Sequence, residues 1–125
     1  MKFVVLIYSN ASVDALAAAR TTEEQQATNQ IYWDVERELE ASGELIDSKA
    51  IDESSQKFVR VNADGSVEVD GVPAPPGGEV VTGYYLLDVL DEARAFEIGA
   101  RFPEAKANHG IRVARVWTQA DFDAL

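Results

Sequence analysis

The sequence predicts an α+β domain, with strands and helices in the order β-α-β-β-α-β and a hairpin inserted in the middle. Three observations carry that reading. Two apolar runs, at residues 3–8 and 79–89, have the length of strands and are hydrophobic on both faces. A stretch between residues 21 and 43 carries apolar side chains at helical spacing. A second helical segment and a last apolar run follow after residue 90. In such a split β-α-β sheet the two main helices pack on one face.

The first run, Phe3-Val4-Val5-Leu6-Ile7-Tyr8, is rich in β-branched and aromatic residues. As a strand it puts Val4, Leu6 and Tyr8 on one side and Phe3, Val5 and Ile7 on the other. Asn10 and Ser12 break it, and a short helix fits residues 13–20. Thr21 and Glu24 then stand three apart, the spacing of a capping box. Ala27, Ile31, Val35 and Leu39 recur every four residues behind them, flanked by Tyr32 and Glu38. Gly43 stops this helix where a left-handed cap is expected.

From Glu44 the period changes, and Leu45-Ile46 opens a short strand. Residues 57–61 and 66–69 alternate polar and apolar, with Ala63-Asp64-Gly65 as the turn between them. Asp70-Gly71 begins a proline- and glycine-rich loop, residues 70–78, readable as a connector or as part of a site. The second helix covers residues 91–101, with Asp88 or Asp91 as cap and Pro103 just past its end. The last strand is residues 111–117.

At 125 residues this is one domain. It has 22 acidic and 11 basic residues, a net charge of -11, no cysteine and one histidine. Without cysteine there is no disulfide, thiolate nucleophile, zinc knuckle or iron–sulfur cluster. One histidine excludes a multi-histidine metal site within one chain. The acid excess repels phosphate backbones and the basic residues are scattered, so no nucleic acid is expected. No phosphate-binding glycine motif or nucleophile elbow is present. The apolar opening is too short for a signal-peptide core or a membrane span, so a cytoplasmic protein away from the membrane is expected. No metal or organic cofactor is expected.

Strands that are apolar on both faces need cover on both, and two helices supply only one layer. A large bare apolar sheet does not stay exposed on a soluble monomer. A homodimer packing sheet on sheet is therefore expected. Among possible site residues, Asp70 is a turn carboxylate or a general base. His109, before Gly110, is a loop residue or a proton shuttle. Tyr8, Tyr32 and Tyr84 are packing residues or the lining of a small-molecule pocket. Tyr84 and Tyr85 are adjacent, so on a strand they face opposite ways. The acidic residues of the long helix read as a solvated face.

Several segments resemble YCII-related proteins of the Asp-Gly-Pro-Phe branch. They are Met1-Lys2-Phe3-Val4-Val5-Leu6-Ile7-Tyr8, then Val67-Glu68-Val69-Asp70-Gly71-Val72-Pro73, then Gly83-Tyr84-Tyr85-Leu86-Leu87-Asp88-Val89, and finally Gly110-Ile111-Arg112-Val113-Ala114-Arg115-Val116. Asp91-Glu92-Ala93 and Phe102-Pro103 fit between the last two. The resemblance implies a ferredoxin-like unit that dimerises into an α/β barrel. Relatives in that wider superfamily act on small aromatic or cyclic molecules. Enzyme-like members carry a histidine eleven residues before the glycine that ends the first long helix, and an aspartate before the proline after the second. Those positions here are Tyr32 and Phe102, so that pair is not carried over. The Asp-Gly-Pro-Phe motif is interrupted by Val72 and lacks its phenylalanine. The expectation is a homodimer binding a small organic molecule near the sheet and the loop 70–78. Its alternatives are a non-catalytic regulatory or protein-interaction domain, and a cofactor-free acid–base enzyme using Asp70 or His109.

Overall fold

A computed structural model of the chain describes residues 1–71 and 78–125. In chain order the elements are β1 (Lys2–Ser9), α1 (Ala11–Ala18), α2 (Thr22–Ser42), β2 (Leu45–Ala50), β3 (Phe58–Val61), β4 (Val67–Asp70), β5 (Val80–Asp88), α3 (Glu92–Gly99), a 3₁₀ turn (Pro103–Lys106), β6 (Ile111–Arg115) and α4 (Gln119–Asp123). The main sheet is antiparallel, in the order β2-β5-β1-β6. That α+β arrangement is compatible with a ferredoxin-like fold.

Register explains where the core sits. Phe3 pairs with Leu87 and Val5 with Tyr85, while Val5 and Ile7 pair with Val113 and Ile111 on the other side. Pairing partners share a face, so the two-residue alternation collects these side chains on one surface. Val35 and Leu39 of α2, Ala95 and Ile98 of α3, and Phe102 close over it. The opposite face carries Val4, Leu6, Tyr84 and Leu86, all half-buried and none of them in that core cluster.

The start and stop of α2 follow its sequence. Thr21 accepts from the Glu24 backbone N–H, and the Glu24 side chain accepts from the Thr21 N–H. Gly43 takes the left-handed conformation, φ 79. The buried stripe is not the one that a strict four-residue count gives. Ala27 and Ile31 are exposed, and Thr28, Tyr32, Val35 and Leu39 turn inward. Four residues overshoot one 3.6-residue turn, so a constant spacing of four drifts around the helix, and alternating steps of four and three hold one face.

β3 and β4 form the expected hairpin, as a two-stranded sheet of its own with Gly65 at φ 86 in the turn. Its pairing puts Val59, Val61, Val67 and Val69 on one face, each 58–69% exposed. Phe58, Arg60, Glu68 and Asp70 share the other face. The C-terminal end differs from the sequence reading. β6 stops at Arg115, and α4 follows because Thr118 and Asp121 form a second capping box. Arg115 donates to both oxygens of Asp121 at 2.8 and 3.0 Å.

One ion pair ties α3 to the end of α2. Arg94 donates to Glu44 from Nε at 2.8 Å and from Nη2 at 2.9 Å, a two-pronged contact with both side chains mostly buried. Arg94's hydrogen bonds are the main reason the Glu44 carboxyl is held at about 2, below its ordinary 4.5. A carboxyl pKa lowered by folding contributes stability above the unfolded value, and that contribution is lost as pH falls through the folded one. Arg94→Met is therefore expected to remove about 1–2 kcal/mol at neutral pH, after allowance for partial solvent screening. The gap between variant and wild type should close as pH drops from 4.5 toward 2. Urea titrations across that range check this, and a gap independent of pH would refute it.

Candidate functional site

The sequence-selected residues do not meet in one place. Asp70 ends β4 and lines a hollow of about 440 Å³ on the hairpin with Phe58, Arg60, Glu68 and Val69. His109 is exposed and lines another with Phe96, Gly99 and Ile111. Its backbone is in the left-handed region, φ 59, in the turn that leads into β6. That turn is tied down on either side: Asn10 donates to the Asn108 carbonyl at 3.0 Å, and the Tyr8 N–H donates to the Gly110 carbonyl at 2.9 Å. Tyr8 lies under the Arg112 guanidinium, 4.4 Å from ring centre to Cζ, beside Gln56, Phe58 and Val81. Tyr84 lies on the face away from the core and donates to Asp47 at 2.6 Å. Lys49 contacts the same carboxylate, and the two together hold Asp47 below the usual carboxylate range. Most of the loop expected to border the site, residues 72–77, lies outside the described residues.

Tyr32 reaches a cavity in which aromatic rings and carboxylates converge. The space measures about 440 Å³ and lies between α2 and the β2–β5 side of the sheet. Asn29, Tyr32, Trp33 and Glu36 enter from α2 at three- and four-residue spacing, which is one helix face. Ser48 and Ala50 of β2, Thr82, Gly83 and Tyr85 of β5, and Ile7 of β1 form the floor. Gly83 pairs with Ile7 on that floor, so a missing side chain there leaves room. Alternation along β5 assigns Tyr85 to the cavity and Tyr84 to the opposite face.

The polar centre of the cavity is a tyrosine–carboxylate pair. Tyr32 donates its phenol hydrogen to Glu104 Oε1 across 72 residues of sequence. The other oxygen, Oε2, is buried and has no donor among the described residues. Burial first, and then the Glu104 carboxylate, push the Tyr32 phenol well above its usual range. It therefore stays protonated and serves as a donor. Tyr85 is pushed up to about 12, by burial first and then by the negative charges of Glu36 and Glu104. Glu36 in turn accepts from the Ser48 hydroxyl at 2.8 Å. Phe102 stands behind the pair, its ring 6.0 Å from Tyr32 and 4.6 Å from Tyr85.

The sequence matches the YCII-related domain family over residues 1–118. The chain belongs to that family. No curated protein matches it. Among the described residues of this YCII-related chain no helix is long and apolar enough to cross a membrane, and no group of three histidine, cysteine or acidic residues is placed to hold a metal. The positions at which the resemblance puts a histidine and an aspartate, Tyr32 and Phe102, are stacked neighbours here. The acidic partner of Tyr32 comes instead from Glu104, one residue past Pro103, at the start of the 3₁₀ turn.

Glu104 and Glu36 are absent from the sequence-derived candidates, whereas Trp33 and Tyr85 are among the aromatic residues that the sequence offers for lining a pocket. Glu36 is one of the acidic residues of the long helix that read as a solvated face, and alternation leaves open which of Tyr84 and Tyr85 meets a pocket. For Glu104 the only local signal is Pro103, which fixes the first turn of a helix and so aims the next side chain.

Proposed function

We propose that this YCII-related chain binds a small organic molecule in the cavity between α2 and the β2–β5 side of the sheet. The observation that carries the reading is the Tyr32–Glu104 pair on an aromatic wall, with Oε2 of the carboxylate left without a donor among the described residues. An orphaned buried oxygen is expensive, so such a group favours an arrangement in which a ligand supplies the missing hydrogen. Convergent polar groups in an otherwise apolar and aromatic hollow are the usual build of a ligand site. The test is a small-molecule screen by thermal shift, run in parallel on wild type and Asn29→Trp. Asn29 is exposed on the cavity face of α2, so the larger ring fills the entrance without disturbing the core. Ligands at a hundred times their Kd should add about 2.7 kcal/mol to wild type and nothing to the variant. Equal stabilisation of both would refute the site.

The same reading includes a homodimer joined through the sheet face that carries Val4, Leu6, Tyr84 and Leu86. What supports it is apolar side chains on a face from which the core cluster takes no member. Sedimentation should give a dimer for wild type and a monomer for Leu86→Arg. A monomeric wild type at micromolar concentration would refute this half of the proposal and leave the cavity intact.

A second reading, proton transfer, is favoured by one feature. Glu104 is anchored through one oxygen while the other has no partner among the described residues, which is how a carboxylate base is held. On that reading the base is Glu104, because Asp70 and His109 line separate depressions.

A further inference from the structure

Several of the cavity's donors are already committed, whereas among the described residues the Tyr85 hydroxyl and the Trp33 indole N–H are not. The Tyr32 hydroxyl gives its hydrogen to Glu104, and the Ser48 hydroxyl to Glu36. The Thr82 hydroxyl points at the Ile7 carbonyl at 3.4 Å. Lys49 belongs to the lining, but its ammonium is held by Asp47 at 2.6 Å and the Ser48 carbonyl at 3.1 Å. Arg20 is felt by Tyr32 yet lines a neighbouring depression with Thr28, Phe102 and Lys106. Asn29 accepts from Gln25 and keeps its amide nitrogen to give.

Acceptors remain in excess. Glu36 and Glu104 each use one oxygen in the bonds above, and Glu104 Oε2 has no donor among the described residues. Both carboxylates project negative charge onto the same ring, Tyr85. The walls around them are the rings of Tyr32, Trp33 and Tyr85. Aromatic faces attract cations and carboxylates pair with them, most strongly where water is partly excluded. A carboxylate ligand would meet two like charges, and like charges at close range oppose binding.

We propose that the ligand of this cavity is a small organic cation, an ammonium group carried on an apolar or aromatic body. The ammonium lies between Glu36 and Glu104, and the body lies against Trp33 and Tyr85. This rests on the cavity being a ligand site and adds the class of molecule it takes.

Three probes of one shape and different charge test it: benzylammonium, benzyl alcohol and benzoate. Binding is followed through the backbone amide resonances of Ser48, Thr82 and Gly83, at high salt so that the diffuse field of the -11 chain is screened. Benzylammonium should bind at least about tenfold more tightly than benzyl alcohol, with benzoate weakest. Glu36→Gln and Glu104→Gln should each reduce that preference while leaving benzyl alcohol binding in place. Circular dichroism confirms that both variants are folded. If benzoate or benzyl alcohol binds at these resonances as tightly as benzylammonium, the charge class is wrong and the cavity reading survives. A preference untouched by both substitutions also overturns the inference. If no probe of any charge moves these resonances, the inference and the ligand site fall together.

Discussion

Phe102→Ala is expected to lower the unfolding free energy by about 3–5 kcal/mol, a large share of the stability of a domain this size. Phe102 is 1% exposed and is among the largest fully buried side chains. It packs against Tyr32 and Tyr85, which themselves wall the cavity. Truncation removes the transfer energy of the ring and leaves a void that rigid neighbours cannot fill. The void also removes the backing that holds both tyrosines, so the variant should lose the proposed ligand binding along with stability. In urea titrations the midpoint should fall while the slope stays constant, because the surface exposed on unfolding hardly changes. Phe102→Leu should recover part of the loss, since it restores most of the volume. A Phe102→Ala variant within about 1 kcal/mol of wild type would mean that the ring is not a structural wall.

Features that depend on a few neighbouring residues were legible in the sequence. The capping box at Thr21 and Glu24, the left-handed stop at Gly43 and the turn at Gly65 are local chemistry, and the structure has each of them. Alternation in residues 3–8 separated the two sides of β1 correctly, with Phe3, Val5 and Ile7 in the core. The inward stripe of α2 keeps Val35 and Leu39 but takes Thr28 and Tyr32 in place of Ala27 and Ile31, because a count of four tracks a helix only for a turn or two. What alternation does not contain is which side of a strand receives the helices. That is decided by pairing between β1 and β5, some eighty residues apart, and it is why Tyr84 looked as good a candidate as Tyr85. Glu104 was further out of reach. Its partner lies 72 residues away, and the bond depends on how the 3₁₀ turn seats against α2. Glu36 reads as one more charge on a solvated face until β2 brings Ser48 to it. The candidate site is assembled almost wholly from such long-range contacts.

Gly110→Ala should break the site from behind without touching its lining. Gly110 is buried where the chain turns from the 3₁₀ segment into β6. A Cβ there would sit 2.9 Å from Glu104 Cβ and closer still to the Glu104 carbonyl oxygen. Backbone atoms do not yield as a flexible side chain does, so the 3₁₀ turn has to move. The expected cost is at least about 2–3 kcal/mol of overpacking. The direction of the movement matters more than its size. The Gly110 carbonyl also receives the Tyr8 N–H at 2.9 Å, which resists a shift of the glycine itself, so displacement falls on Glu104. Glu104 would then be carried away from the Tyr32 hydroxyl, and the phenol would lose the hydrogen bond and negative neighbour that help to raise its pKa. Gly99→Ala is the matched control: there a Cβ meets side-chain methyls of Val113 at 3.2 Å and Ile111 at 3.4 Å, which can give way. In a spectroscopic pH titration, Gly110→Ala should therefore show one tyrosine ionising at lower pH than in wild type or Gly99→Ala, though burial still holds it above the ordinary value. If both glycine variants titrate alike, the seating of Glu104 does not depend on the bare backbone at position 110.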